Sequence, residues 1–143
     1  MIPEVLLALI RKFEGLRLKP YLCPAGVPTV GYGHTGPEVS MAMAPISGTV
    51  AEAMMLQDAE AFLRAAGKLS PILWQHPDKH AAIADFCFNL GSTRYKASTL
   101  RRRVDASDWQ GAAVELRKWV RGGGRVLPGL VARREAEATL LCA

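Results

Sequence analysis

The sequence predicts an α+β chain in which a small β-hairpin lobe and a mostly helical lobe are joined by one long helix. Apolar residues recur at helical spacing in several segments separated by Gly and Pro. The one stretch of strand-like alternation, Leu16 to His34, lies near the start of the chain rather than between successive helices. A chain of 143 residues, 50% hydrophobic and 22% charged, is sized for one domain. Such a domain buries roughly 70% of its unfolded surface, so it folds without disulfides or a metal. Disordered, collagen-like and disulfide-scaffold classes are excluded by composition.

The first helix carries Ile2, Leu6, Leu9, Ile10 and Phe13 on one stripe and stops at Gly15. Leu16, Leu18 and Leu22 then alternate, Pro24, Ala25 and Gly26 supply a turn, and Val30 and Tyr32 return the chain as a hairpin or meander. Gly36, Pro37, Pro45 and Gly48 mark a loop, so the β lobe covers about 16–48. Thr49 and Glu52 have the spacing of a capping box, and a linking helix follows over about 49–66 with Met55, Ala59, Phe62 and Leu63 inward. Pro77 opens a helix whose apolar face of Ile83, Phe86, Cys87 and Leu90 ends at Gly91. Ser98 caps a short helix to Val104. Ser107 and Gln110 form a second capping box, for a helix ending before Gly122, Gly123 and Gly124. The last helix runs from about Gly129 to Leu141, so the helical lobe comprises 1–15 and 67–143.

Lys and Arg number 18 against 13 Asp and Glu, a net charge of +5 that suits an anionic partner: nucleic acid, an anionic membrane face or an acidic wall polymer. Arg101 to Arg103 and Arg133 with Arg134 do not form the continuous stripe with exposed aromatics that nucleic acid requires, so nucleic acid is not an expected partner. Apolar runs fall short of the roughly 18 residues that span a bilayer, and Met1 to Ile10 lacks the basic stretch and cleavage site of a secretory signal. No membrane anchor is expected. Cys23, Cys87 and Cys142 are odd in number and widely spaced, which reads as three reduced thiols. His76 and His80 read as surface histidines rather than metal ligands, and Trp74, Trp109 and Trp119 as apolar anchors. Arg134 falls on the apolar stripe of the last helix and is expected in a buried ion pair with Glu137 or Glu14, while Arg133 reaches Glu137 one turn on.

Glu14 breaks two local rules. It sits in the last turn of the first helix, where the helix dipole disfavours a carboxylate by about 0.3–1 kcal/mol. Four residues after Ile10 and eight after Leu6, it also lies on or beside the apolar stripe. Both effects favour the neutral carboxylic acid, the form that donates a proton in general acid catalysis. The alternative is an ion pair with an Arg or Lys.

Eight residues after Glu14 comes Cys23, and five after that comes Thr29, leading the run Thr29, Val30, Gly31, Tyr32, Gly33, His34, Thr35. The two strands of the hairpin can bring both small side chains opposite the acid. Phe88, Asn89, Leu90 and Gly91 follow, then Ser98, Thr99 and Leu100, then Trp119 before a glycine-rich loop, then Gly129 and Leu130 ahead of Arg133, Arg134 and Glu137. This order resembles the phage-type lysozymes of glycoside hydrolase family 24, whose signature is a Glu, eight residues, an Asp or less often a Cys, five residues and a Thr. The likeness runs from about Ile2 to Leu141.

The resemblance implies a lysozyme-like fold with a cleft between the lobes, residues 1–143 forming a single catalytic domain. It implies hydrolysis of the β-1,4 bond between N-acetylmuramic acid and N-acetylglucosamine in peptidoglycan, with neither cofactor nor metal. Glu14 would be the general acid, Cys23 would take the second-carboxylate position, Thr29 would hold the attacking water, and Tyr32, His34 and Asn89 would contact substrate. A free thiol with a pKa of about 8.5 is only a few per cent thiolate at pH 7, unlike an Asp. Cys23 therefore has three open roles: a thiol that positions water, a thiolate base, or a nucleophile. A Thr that holds water fits the first two. A cysteine-hydrolase dyad of Cys23 with His34 lacks an orienting Asn or Asp.

As a family member the chain would be a monomeric endolysin made in the host cytoplasm, reaching bacterial peptidoglycan through the inner membrane with the help of a holin. Two other classes fit less of the pattern. A lytic transglycosylase needs the Glu but no water-holding Thr, and a non-catalytic basic wall-binding protein needs neither.

Overall fold

In the computed structural model, which describes residues Met1–Ala143, helix α1 (Glu4–Glu14) begins after the extended Pro3 and ends at Gly15. The φ of +70° at Gly15 is one that only glycine adopts without strain. Strands β1 (Arg17–Leu22) and β2 (Pro28–Gly31) form an antiparallel hairpin in which Tyr21 faces Thr29 and Leu22 faces Pro28. The register is irregular between Arg17 and Tyr21, the stretch holding Pro20, which has no N–H to give to a ladder. Cys23 opens the connecting turn: its N–H donates to the Val27 carbonyl (3.1 Å) and its carbonyl accepts from the Gly26 N–H (2.8 Å). Beyond β2 the chain doubles back, and Val30 and His34 exchange both backbone hydrogen bonds.

Helix α2 (Gly48–Leu69) links this lobe to the rest. It starts earlier than the capping box implied, because Ser47 is the cap, its Oγ accepting the Val50 N–H at 3.1 Å. Glu52 is drawn instead into an ion pair with Arg11 of α1. A 3-10 turn (Pro71–Gln75) leads to α3 (Pro77–Leu90), where every residue from His80 to Cys87 is buried. A helix apolar on all sides belongs in the middle of a lobe, and α3 packs against α1, α2 and a C-terminal helix, Pro128–Cys142.

Helices α4 (Ser92–Lys96) and α5 (Thr99–Asp105) follow, the second capped by Ser98 as expected (Arg101 N–H to Oγ, 3.1 Å). Helix α6 (Trp109–Leu116) is capped by Asp108, not Ser107: Asp108 Oδ1 accepts the Gly111 N–H at 2.9 Å, while Ser107 has φ +55°. The glycine-rich segment, read as a loop, instead carries a second small hairpin, β3 (Arg121–Gly122) with β4 (Arg125–Val126), turning on Gly123 and Gly124. The C-terminal helix is α7.

The larger core joins Leu73, Ile83, Phe86, Tyr95, Leu100, Leu116 and Leu141, and a smaller one lies where α1, α2 and α3 meet, around Leu6, Ile10, Met55 and Ala81. His80 is not a surface histidine. It is 4% exposed, and its Nε2 is bonded to the Leu63 carbonyl (2.7 Å), an acceptor in another helix. Trp119 packs edge-on against Phe86 with ring centres 5.5 Å apart, whereas Trp74 is more than half exposed.

Ser47→Ala is expected to lower stability by about 1 kcal/mol and Thr49→Ala by only a few tenths, a difference that urea unfolding resolves.

Candidate active site

Glu14 ends α1, and its carboxylate, 19% exposed, accepts a hydrogen bond from Arg133 Nη1 at 2.6 Å. The ion pair expected of a misplaced acid is therefore present, and its partner is a residue of α7. Arg133 was expected to reach Glu137. It turns instead toward α3, where Nε and Nη2 bind the two oxygens of Asp85 at 2.9 and 2.8 Å. The guanidinium also lies 5.7 Å from the Phe13 ring centre and 6.0 Å from that of Phe88. Two carboxylates and two aromatic rings thus fix one side chain that is 4% exposed.

Burial opposes charge on Asp85, but the hydrogen bonds from Arg133 outweigh it and hold its carboxyl below the usual range. Burial, together with the neighbouring Asp85 carboxyl, pushes Glu137 well above the usual range. The Arg134 and Arg133 guanidinium groups act in the opposite direction on Glu137. Arg134 is fully buried beside them, with Nη2 at 2.7 Å from Asn89 Oδ1 and Nε at 2.8 Å from Glu137 Oε1, the partner expected from sequence.

The hairpin side of the site is as closely fitted. A Cβ at Gly33, which has φ +73°, would stand 2.5 Å from Glu14 Oε1 and 2.8 Å from its Cδ, so only glycine lets the acid lie against the lobe. Burial, and then the charge of Glu14, push the Tyr21 phenol up. Thr29 is buried and its Oγ1 donates to the Val27 carbonyl at 2.8 Å, which leaves the oxygen lone pairs as acceptors. The Cys23 thiol is held below its ordinary pKa, first by the Val27 backbone N–H and further by the Ala25 N–H. These backbone donors shift the thiol toward its ionised form. Cys87 is the opposite case, pushed up to about 12 by burial.

Of the expected substrate contacts, Asn89 lines a depression of about 480 Å³ together with Glu14, Arg133, Leu127, Pro128 and Leu130. Tyr32 is half-buried and packs against the core between α1 and α2. His34 has both ring nitrogens engaged, Nδ1 with Asp58 of α2 (2.7 Å) and Nε2 with Glu38 of the following loop (2.6 Å). Burial works against its charge, yet the two carboxylates prevail and raise its pKa. Burial keeps Asp58 above its usual value, while the exposed Glu38 is lowered by its hydrogen bond to His34. Asp85, Arg133 and Gly33 were not singled out for the site from the sequence, although an acid inside the apolar run of α3 was a signal that could have pointed to Asp85.

An acid at a helix end, faced by a hairpin and backed by a buried arginine, defines a centre of the glycoside hydrolase type. A family model described as Phage lysozyme matches residues 11–137, and the chain belongs to that family. It is 36% identical over 150 residues to an endolysin of Acyrthosiphon pisum secondary endosymbiont phage 1, covering 97% of this chain and 96% of the relative. It is 39% identical over 137 residues to an endolysin of Bacillus phage B103, covering 92% of this chain but only 50% of that one. A SAR-endolysin of Bacteriophage PS119 is 36% identical over 126 residues, 87% of this chain and 73% of the relative. Among solved structures, an endolysin from Escherichia coli O157:H7 phage FAHEc1 matches with a TM-score of 0.82 at 30% identity over 99% of this chain and 92% of the other. The fold is the expected α+β, lysozyme-like one, with the hairpin lobe and the helical lobe joined by α2.

Arg133→Met leaves Asp85 buried without its counter-ion and is expected to cost about 3–5 kcal/mol, much of it recovered on adding Asp85→Leu, as a double-mutant cycle in urea would read. The raised pKa of His34 means that its stabilising effect is complete below about pH 6.5 and lost as pH rises through the folded value. The melting-temperature advantage of the native chain over His34→Gln is therefore expected to narrow as pH rises through the folded value, and again in acid as Glu38 and Asp58 protonate.

Proposed function

We propose that the chain is an endolysin that hydrolyses the β-1,4 bond between N-acetylmuramic acid and N-acetylglucosamine in bacterial peptidoglycan, with Glu14 as acid and Cys23 and Thr29 managing the water. The observation that carries this is the placement of Glu14, at the disfavoured end of α1, lining a depression and pressed against Gly33 of the hairpin lobe. Glu14 gives its proton to the glycosidic oxygen as the bond from that oxygen to the anomeric carbon breaks. Water attacks the opposite face of the sugar and inverts it. Thr29 Oγ1, whose own hydrogen is committed to the Val27 carbonyl, accepts one water hydrogen, and the Cys23 thiolate takes the proton that is lost. Return of that proton to Glu14 through solvent resets the site.

Asn89 is the substrate contact best supported by its surroundings, since Arg134 occupies its Oδ1 and leaves its amide nitrogen for a sugar oxygen. Tyr32 and His34 shape the wall of the cleft from the hairpin side. The net charge of +5 favours an acidic wall polymer. In this reading the chain is a monomer made in the host cytoplasm and released to the wall through a holin pore; no helix is long and apolar enough to cross a membrane.

The test is digestion of purified peptidoglycan with muropeptides analysed by mass spectrometry. Native protein is expected to give reducing ends, and 1,6-anhydro ends would instead identify a transglycosylase. Glu14→Gln is expected to lower the rate by about 10²–10⁴ with the fold intact, and lysis near the native rate by this variant overturns the reading. Cys23→Asp is expected to stay active, with Cys23→Ala losing more than Cys23→Ser. Alkylation of the thiol is expected to inactivate the native enzyme, and insensitivity removes the thiolate from the mechanism.

A further inference from the structure

The network behind Glu14 contains more charge than is needed to hold one carboxyl in place. Arg133 touches Glu14 through a single nitrogen and turns its other two toward Asp85, a fully buried acid that lies deeper in α3 and lines no part of the depression. An arginine paired with Glu14 alone would hold that acid as its carboxylate, the form unable to donate a proton. An arginine already neutralised by a buried carboxylate still offers its N–H as a donor but carries little net charge to the acid. Glu137 is engaged by Arg134 rather than by Arg133, so it does not compete with Asp85 for the Arg133 guanidinium.

We propose that Asp85 is a positioning residue for the Glu14 acid, fixing Arg133 through two hydrogen bonds and absorbing the charge that Arg133 would otherwise impose on Glu14. The proposal rests on Glu14 as general acid. The other charged and titratable groups near Glu14 do not take over this task. Tyr21 on β1 is a neutral phenol under the Arg17 guanidinium (4.5 Å), and Cys23 lies in the turn beyond it. Arg11 of α1 is engaged by Glu4 and Glu52, Lys12 lies over the Phe13 ring, and Arg134 is bound to Asn89 and Glu137. Of the acids in the site, Asp85 is the one bound to Arg133 by both oxygens.

The experiment is the pH dependence of kcat/KM on purified peptidoglycan for native protein, Asp85→Asn, Asp85→Ser and Glu137→Gln, with folding checked by circular dichroism and melting temperature. Loss of the Asp85 charge is expected to shift the alkaline limb toward acid by about one pH unit, a roughly tenfold loss at a fixed pH on that limb, with far less change on the plateau. Glu137→Gln, which leaves both Asp85–Arg133 hydrogen bonds in place, is expected to leave the limb where it is. A uniform fall at every pH for both Asp85 variants, an unmoved limb, or failure of both to fold assigns Asp85 a purely structural role and overturns the proposal. Failure of the underlying reading has a separate signature, since Glu14→Gln would then keep the native rate and profile.

Discussion

Arg133 is where the three parts of this molecule that matter most for its chemistry are tied together. Its guanidinium receives Asp85 from α3, Glu14 from α1 and the faces of Phe13 and Phe88, while its backbone belongs to α7. A planar fork with five donors can serve two carboxylates in fixed directions, and lysine, with one compact ammonium, cannot. Burying such a charge is tolerable only because each face and edge has a partner. The rest of the architecture can be read as the means of supplying them. The all-round burial of α3 brings Asp85 to the arginine, the stop at Gly15 brings Glu14, and Pro128 starts α7 at the point that sends Arg133 into the cleft wall.

The hairpin lobe contributes chemistry of a different kind, built from backbone rather than from buried charge. Cys23 and Thr29 are both organised by Val27, whose N–H faces the thiol and whose carbonyl receives the Thr29 hydroxyl. One peptide residue at the turn therefore sets the ionisation of one group and the rotor of the other. His34 then fastens the lobe to α2 through Asp58 and to its own loop through Glu38, and Arg11 with Glu52 fastens α1 to the same helix. The position of the lobe against Glu14 is thus maintained by a few polar bonds in addition to the covalent link through α2.

Periodicity and spacing made the overall plan legible: the order of helices, the hairpin and the long link all follow from patterns within one segment. What escaped depended on contacts between segments. Thr49 and Ser107 have the right spacing for caps, but Ser47 and Asp108 occupy those positions because the helices start where tertiary packing lets them. Arg133 and Arg134 are neighbours about 100° apart on a helix, and which one meets Glu14 depends on the rotation of α7 against α3. His80 looks like a surface residue until the Leu63 carbonyl is brought to it. The two-residue strands β3 and β4 are too short to leave any alternation to read.

Gly33 carries a consequence for how the sequence can drift. It is neither a core residue nor a chemical participant, and in a survey of tolerated substitutions a partly exposed loop position of this kind would ordinarily be permissive. Here any added carbon meets the carboxyl of Glu14, and the backbone conformation itself disfavours every L side chain. The position is frozen by its neighbour's carboxyl as well as by its own backbone. A side chain there would both strain the backbone and push the Glu14 carboxyl off the hairpin lobe, so two independent constraints keep the position empty.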